Sequence, residues 1–354
     1  MGLFKKAAVF GDLHFGKKSD SEQHNNDCLN YVEWFVTQVK KNGCDAIIFL
    51  GDWFDNRSRL RLDSNWQSDI AIRTLVDTGV QIYWIIGNHD LYFKQKRDIH
   101  SLPALVQYSD NIKLINDITE LDDVLLCPWL VGNEFTVPPT KKVKYIFGHF
   151  EFPLFLMNES VECPDHGGLH ADHFYQCEHV FSGHFHRRQT KLNEHGIPIT
   201  YIGNCFSHDM NDVNDVNRGC MILEWDKEPV FISWNEGPRY LRMPLSELIQ
   251  LVEADATDGI ITSNTVIECK DDLNIDLEES LAIREELQTI MRDLRLKPAT
   301  EIIDSGTETE VDGNDLTVDQ LVVEHLTQID TTGSDYESAI LLDLFDKSGE
   351  KQNV

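Results

Sequence analysis

Five short segments of the sequence combine a glycine with side chains that can bind a metal ion or move a proton. The third segment offers an amide oxygen on Asn88, an imidazole on His89 and a carboxylate on Asp90. Imidazole and carboxylate together suit Mn²⁺, Fe²⁺ or Zn²⁺ better than Ca²⁺. In chain order the segments are Gly11-Asp12-Leu13-His14, Gly51-Asp52-Trp53-Phe54-Asp55, Gly87-Asn88-His89-Asp90, Gly148-His149 and Gly183-His184-Phe185-His186.

Together these segments offer more donor atoms than one ion can bind. Such a set suits two ions that share a carboxylate. Two ions about 3.5–4 Å apart can clamp a phosphate group and activate a water molecule between them. The donors therefore predict metal-assisted phosphoester hydrolysis.

Each segment follows an apolar run that is typical of a buried strand. The first three runs alternate with helical patterns, one with a stripe from Cys28 to Val39 and one from about Asp63 to Thr78. Strand, helix, strand, helix, strand predicts a parallel sheet, which places its chemistry at the carboxyl ends of the strands. Few helices separate the short strands predicted later in the chain. Part of the fold is therefore expected to be antiparallel sheet. The five runs are Lys6–Phe10, Ala46–Leu50, Val80–Ile86, Val143–Phe147 and Val180–Phe181.

The five segments, in this order, resemble the D-x-H, G-D-x-x-D, G-N-H-D/E, G-H and G-H-x-H motifs of calcineurin-like metallophosphoesterases. Within that superfamily the chain resembles the SbcD/Mre-type nuclease subunits, including the smaller phage recombination endonuclease subunit. Tyr201-Ile202-Gly203 and Arg218-Gly219 add to this likeness. The resemblance implies an α/β fold, a sandwich of mixed β-sheets flanked by helices, with a small α+β capping domain and C-terminal helices.

The resemblance also implies a role for each donor. Asp12, His14, Asp52 and His186 would hold one metal ion, and Asp52, Asn88, His149 and His184 the other. His89 would protonate the leaving oxygen or stabilise the developing charge, oriented by Asp90. Some family members have a histidine where this chain has Asp55, so an acid role at that position is open. Mn²⁺ is the expected ion, with Mg²⁺ or Fe²⁺ as alternatives.

The implied function is that of a DNA exonuclease or endonuclease subunit in DNA end processing, recombination and repair. It would act on double-stranded ends or hairpins as a homodimer within a heterotetramer, together with an SbcC-type ATPase. Its place would be the cytoplasm, that of a bacterial host if the chain is phage-encoded. The domain division is then a nuclease core over 1–243, a DNA-contacting capping domain over 244–303, an acidic linker over 304–315 and an ATPase-binding tail over 316–354.

Charge separates the two ends of the chain. The net charge is −29, and residues 244–354 carry −20 of it. This surface disfavours binding of nucleic acid through bulk electrostatics, so the phosphate contacts must come from bound cations, a partner or local patches such as Arg57, Arg59 and Arg61. Within the C-terminal third, patterns predict a strand over 260–268, a helix over 277–294 and a strand over 298–303.

Other protein classes fit less well. The eight cysteines show no C-x-x-C pair, which favours reduced thiols, and no run predicts a signal peptide or a membrane span. A protein phosphatase would resemble G-D-x-x-D-R-G and G-N-H-E, whereas this chain has Asn56 and Asp90 at the two differing positions. A small-molecule phosphodiesterase would not need the C-terminal third, and an inactive scaffold would not need every donor. His166, His170 and His173 are expected to lie in a solvated loop, and Trp53 and Phe54 in the core.

Overall fold

A computed structural model describes residues 2–136, 142–157, 161–165, 167–254, 256–257 and 259–297. The predicted linker over 304–315 and tail over 316–354 lie outside these residues, as does the predicted strand over 298–303. The described strands are β1 (Lys6–Phe10), β2 (Ala46–Phe49), β3 (Gln81–Ile85), β4 (Leu91–Phe93), β5 (Lys96–His100), β6 (Ile112–Ile115), β7 (Thr119–Leu121), β8 (Val124–Cys127), β9 (Tyr145–His149), β10 (His179–Gly183), β11 (Gln189–Leu192), β12 (Pro198–Tyr201), β13 (Gly219–Glu224), β14 (Val230–Ser233), β15 (Arg239–Pro244), β16 (Thr265–Lys270) and β17 (Asp293–Lys297).

Two six-stranded mixed sheets make up most of the described chain. The first has the order β14-β13-β1-β2-β3-β6, in which β1, β2, β3 and β6 run parallel. The second has the order β11-β12-β10-β9-β8-β7, with a parallel centre from β12 to β8. The sheets pack face to face, because Val9 and Ile48 of the first share one apolar cluster with Phe147 and Phe181 of the second.

Helices cover the outer face of the first sheet. The helix Glu22–Asn42 begins where the Ser21 hydroxyl accepts from the backbone N–H of His24 at 3.4 Å, and it ends at Gly43. Its Phe35 ring packs on Phe10 with ring centroids 4.4 Å apart. The other described α-helices are Lys17–Asp20, Leu62–Val76, Ala104–Tyr108, Leu245–Glu253 and Leu277–Leu287. This arrangement confirms the predicted α/β sandwich of mixed sheets.

A third, parallel sheet has the order β15-β16-β17 and its own apolar core with the helices Leu245–Glu253 and Leu277–Leu287. Strand β15 pairs with β16, so the predicted boundary between Met243 and Pro244 falls inside a strand. The predicted helix over 277–294 is shorter than expected, because its last residues belong to β17.

A two-pronged ion pair joins the third sheet to the helix Glu22–Asn42. The Arg292 guanidinium donates to both carboxylate oxygens of Asp27, at 2.7 and 2.9 Å, and to Asn264 at 2.7 Å. Among the described residues, no helix has the length and apolar character needed to cross a bilayer.

Candidate metal centre

Loops at the carboxyl ends of five strands bring the predicted donors together. The strands β1, β2 and β3 belong to the first sheet, and β9 and β10 to the second. The site therefore lies where the two sheets meet at one edge. The side chains that converge there are Asp12, His14, Asp52, Asn88, His89, His149, His184 and His186.

The backbone at this edge takes conformations that most residues avoid. The φ angles are 55° at Asp12, 56° at His14, 61° at Asp52 and 90° at His184. Left-handed backbone at a non-glycine residue costs on the order of 1–3 kcal/mol and clusters at functional sites. Four donors in this conformation indicate that the fold stores strain in order to aim their side chains.

Glycine at 87 is required by close approach and not by its φ angle. A Cβ there would lie 2.3 Å from an Asp52 carboxylate oxygen and 2.4 Å from the Asp52 nitrogen. This proximity gives a physical reason for a glycine ahead of the Asn88-His89 segment.

One group of donors contains Asp12, His14 and His186, whose ligand atoms lie within 4.8 Å of one another. The Nε2 atoms of His14 and His186 face each other at 3.3 Å. Asp12 accepts from the backbone N–H of His184 at 2.9 Å, which ties the first sheet's loop to the second sheet's loop.

A second group contains Asp52, His149 and His184, again within 4.8 Å. His149 Nε2 lies 3.3 Å from Asp52 Oδ2 and 2.9 Å from Asn88 Oδ1. His184 Nδ1 also lies 2.9 Å from Asn88 Oδ1. Asn88 therefore belongs to this group, and Asp52 stands between the two groups, since its Oδ2 is also 3.8 Å from His14 Nε2.

His89 lies beside Asp52 with its ring held by the backbone. Its backbone N–H donates to Asp52 Oδ1 at 2.7 Å, and its Nδ1 lies 2.6 Å from the carbonyl oxygen of Asp55. A donating Nδ1–H leaves Nε2 available as a proton carrier. The Asp55 carboxylate lies 3.5 Å from His14 Nδ1, so Asp55 supports two histidines without an evident acid role of its own.

The expectation that Asp90 orients the His89 imidazole is wrong. The Asp90 carboxylate accepts from three backbone N–H groups, those of Asp52 at 3.0 Å, Trp53 at 2.9 Å and Gly87 at 2.8 Å. These bonds occupy a fully buried carboxylate. Asp90 therefore clamps the loop after β2 to the loop after β3, and it acts on the site through the backbone.

Burial and ion pairing shift the acid–base behaviour of the donors. Burial raises the pKa of Asp12 to about 7 and lowers that of His186 to about 3. Burial also lowers the pKa of His14 and His184. Burial alone would lower the pKa of His149, but the Asp52 carboxylate outweighs this and raises it to about 9.

These donors fit divalent cations. His149 Nδ1 lies 2.7 Å from the Leu50 carbonyl oxygen, which directs Nε2 toward the site. His184 Nε2 lies 3.0 Å from the Glu151 carboxylate, which directs Nδ1 inward. Once a bound ion has displaced the proton of His149, the neutral imidazoles, an amide oxygen and two carboxylates suit Mn²⁺, Fe²⁺ or Zn²⁺. The facing nitrogens of His14 and His186 also fit a cation between them.

Several residues near the site were not predicted. His208 is fully buried, and its ring lies 5.2 Å from that of His186 and 5.5 Å from that of His14. Neither of its ring nitrogens has a hydrogen-bond partner among the described residues. Asp212 completes a group with His186 and His208 and accepts from the backbone N–H of His208 at 2.7 Å. No short motif marks these two residues, because His208 lies five positions after Gly203 and Asp212 lies nine, beyond the spacing of the other segments.

The remaining predicted features supply no ligand atom to these groups of donors. Trp53 and Phe54 are fully buried, as expected of core residues. His170 and His173 contact each other in a partly exposed turn, and His166 lies outside the described residues. The Arg57, Arg59 and Arg61 segment is a largely exposed loop that directly follows Asp55.

Comparison with known proteins agrees with the motifs. The calcineurin-like phosphoesterase profile matches residues 5–188, which is more than half of the chain. Exonuclease subunit 1 of Enterobacteria phage T4 is 27% identical over 352 residues, which cover 95% of this chain and 96% of that protein.

Two solved structures have lower similarity. A dimetal phosphatase from Danio rerio covers 65% of this chain and 98% of its own, with a TM-score of 0.41 and 14% identity. The match to a phosphopantetheinyl hydrolase from Mycobacterium tuberculosis covers 58% of this chain and 91% of that one, with a TM-score of 0.29 and 13% identity. On the family match, and with its donors gathered at one edge of two packed sheets, this chain belongs to the calcineurin-like phosphoesterase family.

Proposed function

We propose that the chain is a two-metal DNA nuclease subunit that hydrolyses phosphodiester bonds. The observation that carries this proposal is the convergence of seven donors, from five loops of two sheets, around the shared carboxylate of Asp52. The phage T4 relative bears the name of an exonuclease subunit, which supports DNA as the substrate.

Two divalent ions, Mn²⁺ first and Mg²⁺ or Fe²⁺ as alternatives, would supply Lewis acidity and an activated water here. Asp12, His14 and His186 would hold one ion, and Asn88, His149 and His184 the other, with Asp52 shared. His89 would give a proton to the leaving oxygen through Nε2, since Nδ1 is engaged by the Asp55 carbonyl. Asp90 would keep the Asp52 and Asn88 loops in register.

The substrate must approach a chain of net charge −29. We therefore propose that the isolated subunit binds duplex DNA weakly and that local cations near the site, such as Arg57 and Arg59, contribute the first phosphate contacts. The remaining phosphate contacts would come from an SbcC-type ATPase. Together the two proteins would process double-stranded ends or hairpins during recombination, repair and replication. They would do so in the cytoplasm of a bacterial host.

The other parts of the chain would serve assembly. The third sheet would act as the DNA-contacting capping domain, with the linker over 304–315 leading to an ATPase-binding tail over 316–354. A homodimer within a heterotetramer would form on the helix Leu62–Val76. That helix exposes 90% of Leu62, 69% of Trp66 and 40% of Ile70, four residues apart on one face.

The test is a set of parallel hydrolysis assays in Mn²⁺. Linear duplex DNA, with and without the ATPase, is compared with a phosphopeptide and with bis-p-nitrophenyl phosphate. Mn²⁺-dependent cleavage of DNA and of the small diester is expected, and Asp52→Ala should abolish both. Preference for the phosphopeptide would favour a protein phosphatase. Cleavage of the small diester alone, even with the ATPase, would favour a small-molecule enzyme, and no hydrolysis would favour a scaffold.

A further inference from the structure

A β-hairpin directly follows the His89 segment and carries exposed aromatic rings. Residues 91–100, here called the aromatic hairpin, form β4 and β5 around a two-residue turn. Tyr92 is 49% exposed and Phe93 is 45% exposed, with ring centroids 4.7 Å apart. Because a residue spans at most about 3.6 Å of chain, the Phe93 backbone lies within roughly 14 Å of that of His89. The rings therefore lie on a segment whose backbone stays close to that of His89.

The aromatic hairpin is fixed to the body of the protein at two points. At its base the Ser101 backbone N–H donates to the Asp90 carbonyl at 2.8 Å. On β5 the Arg97 guanidinium, whose side chain is only 8% exposed, donates to Glu134 at 2.5 and 2.7 Å and to the Trp129 carbonyl at 2.8 Å. The backbone that carries the exposed rings is thus anchored before any ligand binds, which lowers the entropy that binding would cost.

The charge of the aromatic hairpin is opposite to that of the chain. Lys94 and Lys96 lie at its exposed tip, and neither forms an ion pair with any residue in the described ranges. On a chain of net charge −29, cations beside exposed rings favour a polyanion with planar groups. A surface that binds an apolar partner protein would not need these two lysines.

We propose that the aromatic hairpin is a stacking platform for an unpaired base next to the cleaved phosphodiester. This inference rests on the proposed nuclease function and names the part of the substrate that the hairpin contacts. Tyr92 and Phe93 would stack on the base, and Lys94 and Lys96 would contact the backbone phosphates. Stacking needs a base free of its partner strand, so the preferred substrate would have a frayed or single-stranded end.

The test measures binding of the full chain, without added metal, to an oligonucleotide that has a single-stranded end. Tyr92→Ala and Phe93→Ala should each weaken binding roughly 5- to 150-fold, the usual range for a lost base–aromatic contact. Tyr108→Ala is the matched control, since that ring is 81% exposed and belongs to another element. Its affinity should equal that of the wild type.

An abasic residue at successive end positions locates the contact. At one of these positions the abasic residue should weaken binding by the wild type about as much as a ring variant does. It should not weaken binding by the Phe93→Ala variant any further, because both changes remove the same stacking interaction. Lys94→Gln and Lys96→Gln should weaken the binding of all oligonucleotides alike. Each should reduce the slope of log K against log salt concentration by about 0.7 in magnitude, because one phosphate contact is lost.

Hydrolysis of bis-p-nitrophenyl phosphate separates the two proposals. That diester has no nucleobase and no second phosphate, so the ring variants should keep their metal-dependent hydrolysis of it. Full affinity of the ring variants for single-stranded ends would overturn the platform while leaving the nuclease intact. The platform would also be overturned if the ring variants lost the same further affinity for abasic ends as for normal ends. It would be overturned as well if the ring variants lost only self-association or ATPase binding. Failure of the nuclease proposal would instead appear as a wild-type chain that cleaves no DNA.

Discussion

His89 and Asp90 are neighbours in sequence, but they perform different tasks. The His89 ring contacts a backbone carbonyl at Asp55, whereas the Asp90 carboxylate binds three backbone N–H groups. One residue is placed to move a proton, and the other holds the loops that aim the donors. Mutations at the two positions should therefore fail in different ways.

Replacement of His89 should separate chemistry from metal binding. We expect His89→Gln to keep both ions, because its Nδ1 is engaged by backbone and the other donors are untouched. Cleavage should fall roughly 10²- to 10⁴-fold, as for loss of a general acid. Metal content by elemental analysis and single-turnover rates provide the check, and loss of an ion from this variant would make His89 a ligand.

Replacement of Asp90 should weaken the fold around the site. Asp90→Ala leaves three buried N–H groups without an acceptor, each costing about 1–3 kcal/mol. We expect a free energy of unfolding at least about 3 kcal/mol lower in urea titrations, together with weaker Mn²⁺ binding. Asp90→Asn keeps one acceptor oxygen, so its free energy of unfolding should fall by less than that of Asp90→Ala. Unchanged stability with lost activity would restore a direct catalytic role.

At the scale of elements, buried strands were the most readable part of the sequence. The apolar runs before the donor segments match β1, β2, β3, β9 and β10 to within two residues at each end, because full burial demands a continuous apolar run. The aromatic hairpin was not predicted, since most residues of its strands are exposed and their sequence shows no regular alternation of apolar and polar residues. The motifs predicted which donors gather, but the Asp90 bonds and His208 depend on tertiary contacts that no local pattern encodes.

Strand β10 carries a histidine that should make stability depend on pH. Burial lowers the pKa of His179 to about 4, and its Nε2 lies 2.8 Å from the Thr200 hydroxyl. The unfolded chain binds this proton near pH 6.5, so stability is full above that pH and falls as the pH drops toward 4. Free energies of unfolding from urea titrations at pH 7.5 and 4.5 should differ less in His179→Gln than in the wild type, by an amount on the order of 1 kcal/mol after allowance for screening. An identical pH dependence would show that this ring titrates normally.

The exposed face of the helix Leu62–Val76 should determine the oligomeric state. A charge at its centre would have to be buried in a dimer, so we expect the wild type to sediment as a dimer and Trp66→Glu as a monomer. Tyr108→Glu, at an even more exposed position on another helix, should leave the expected dimer intact. A wild type that is monomeric at high concentration would remove this face from the assembly.

At the scale of the whole molecule, we expect the sandwich and the C-terminal residues to have separate tasks. The donors all lie before residue 187, so deletion of residues 316–354 should leave Mn²⁺ binding and hydrolysis of a small diester unchanged. It should abolish co-purification with the ATPase and any ATP-stimulated cleavage. Unfolding of the shortened chain would place those residues in the core. Unchanged ATPase affinity would move the contact elsewhere, with the third sheet as the next candidate.

The position of β1 has a consequence for how the protein is made. Strand β1 pairs with β2 on one side and with β13 on the other, where Lys6 lies opposite Glu224. Roughly 200 residues must leave the ribosome between these partners, which takes roughly 10–40 s at usual translation rates. All the donors up to His186 emerge earlier, while β1 still has an open edge. A nascent chain can thus meet ions, and other unpaired strands, before its first sheet is closed.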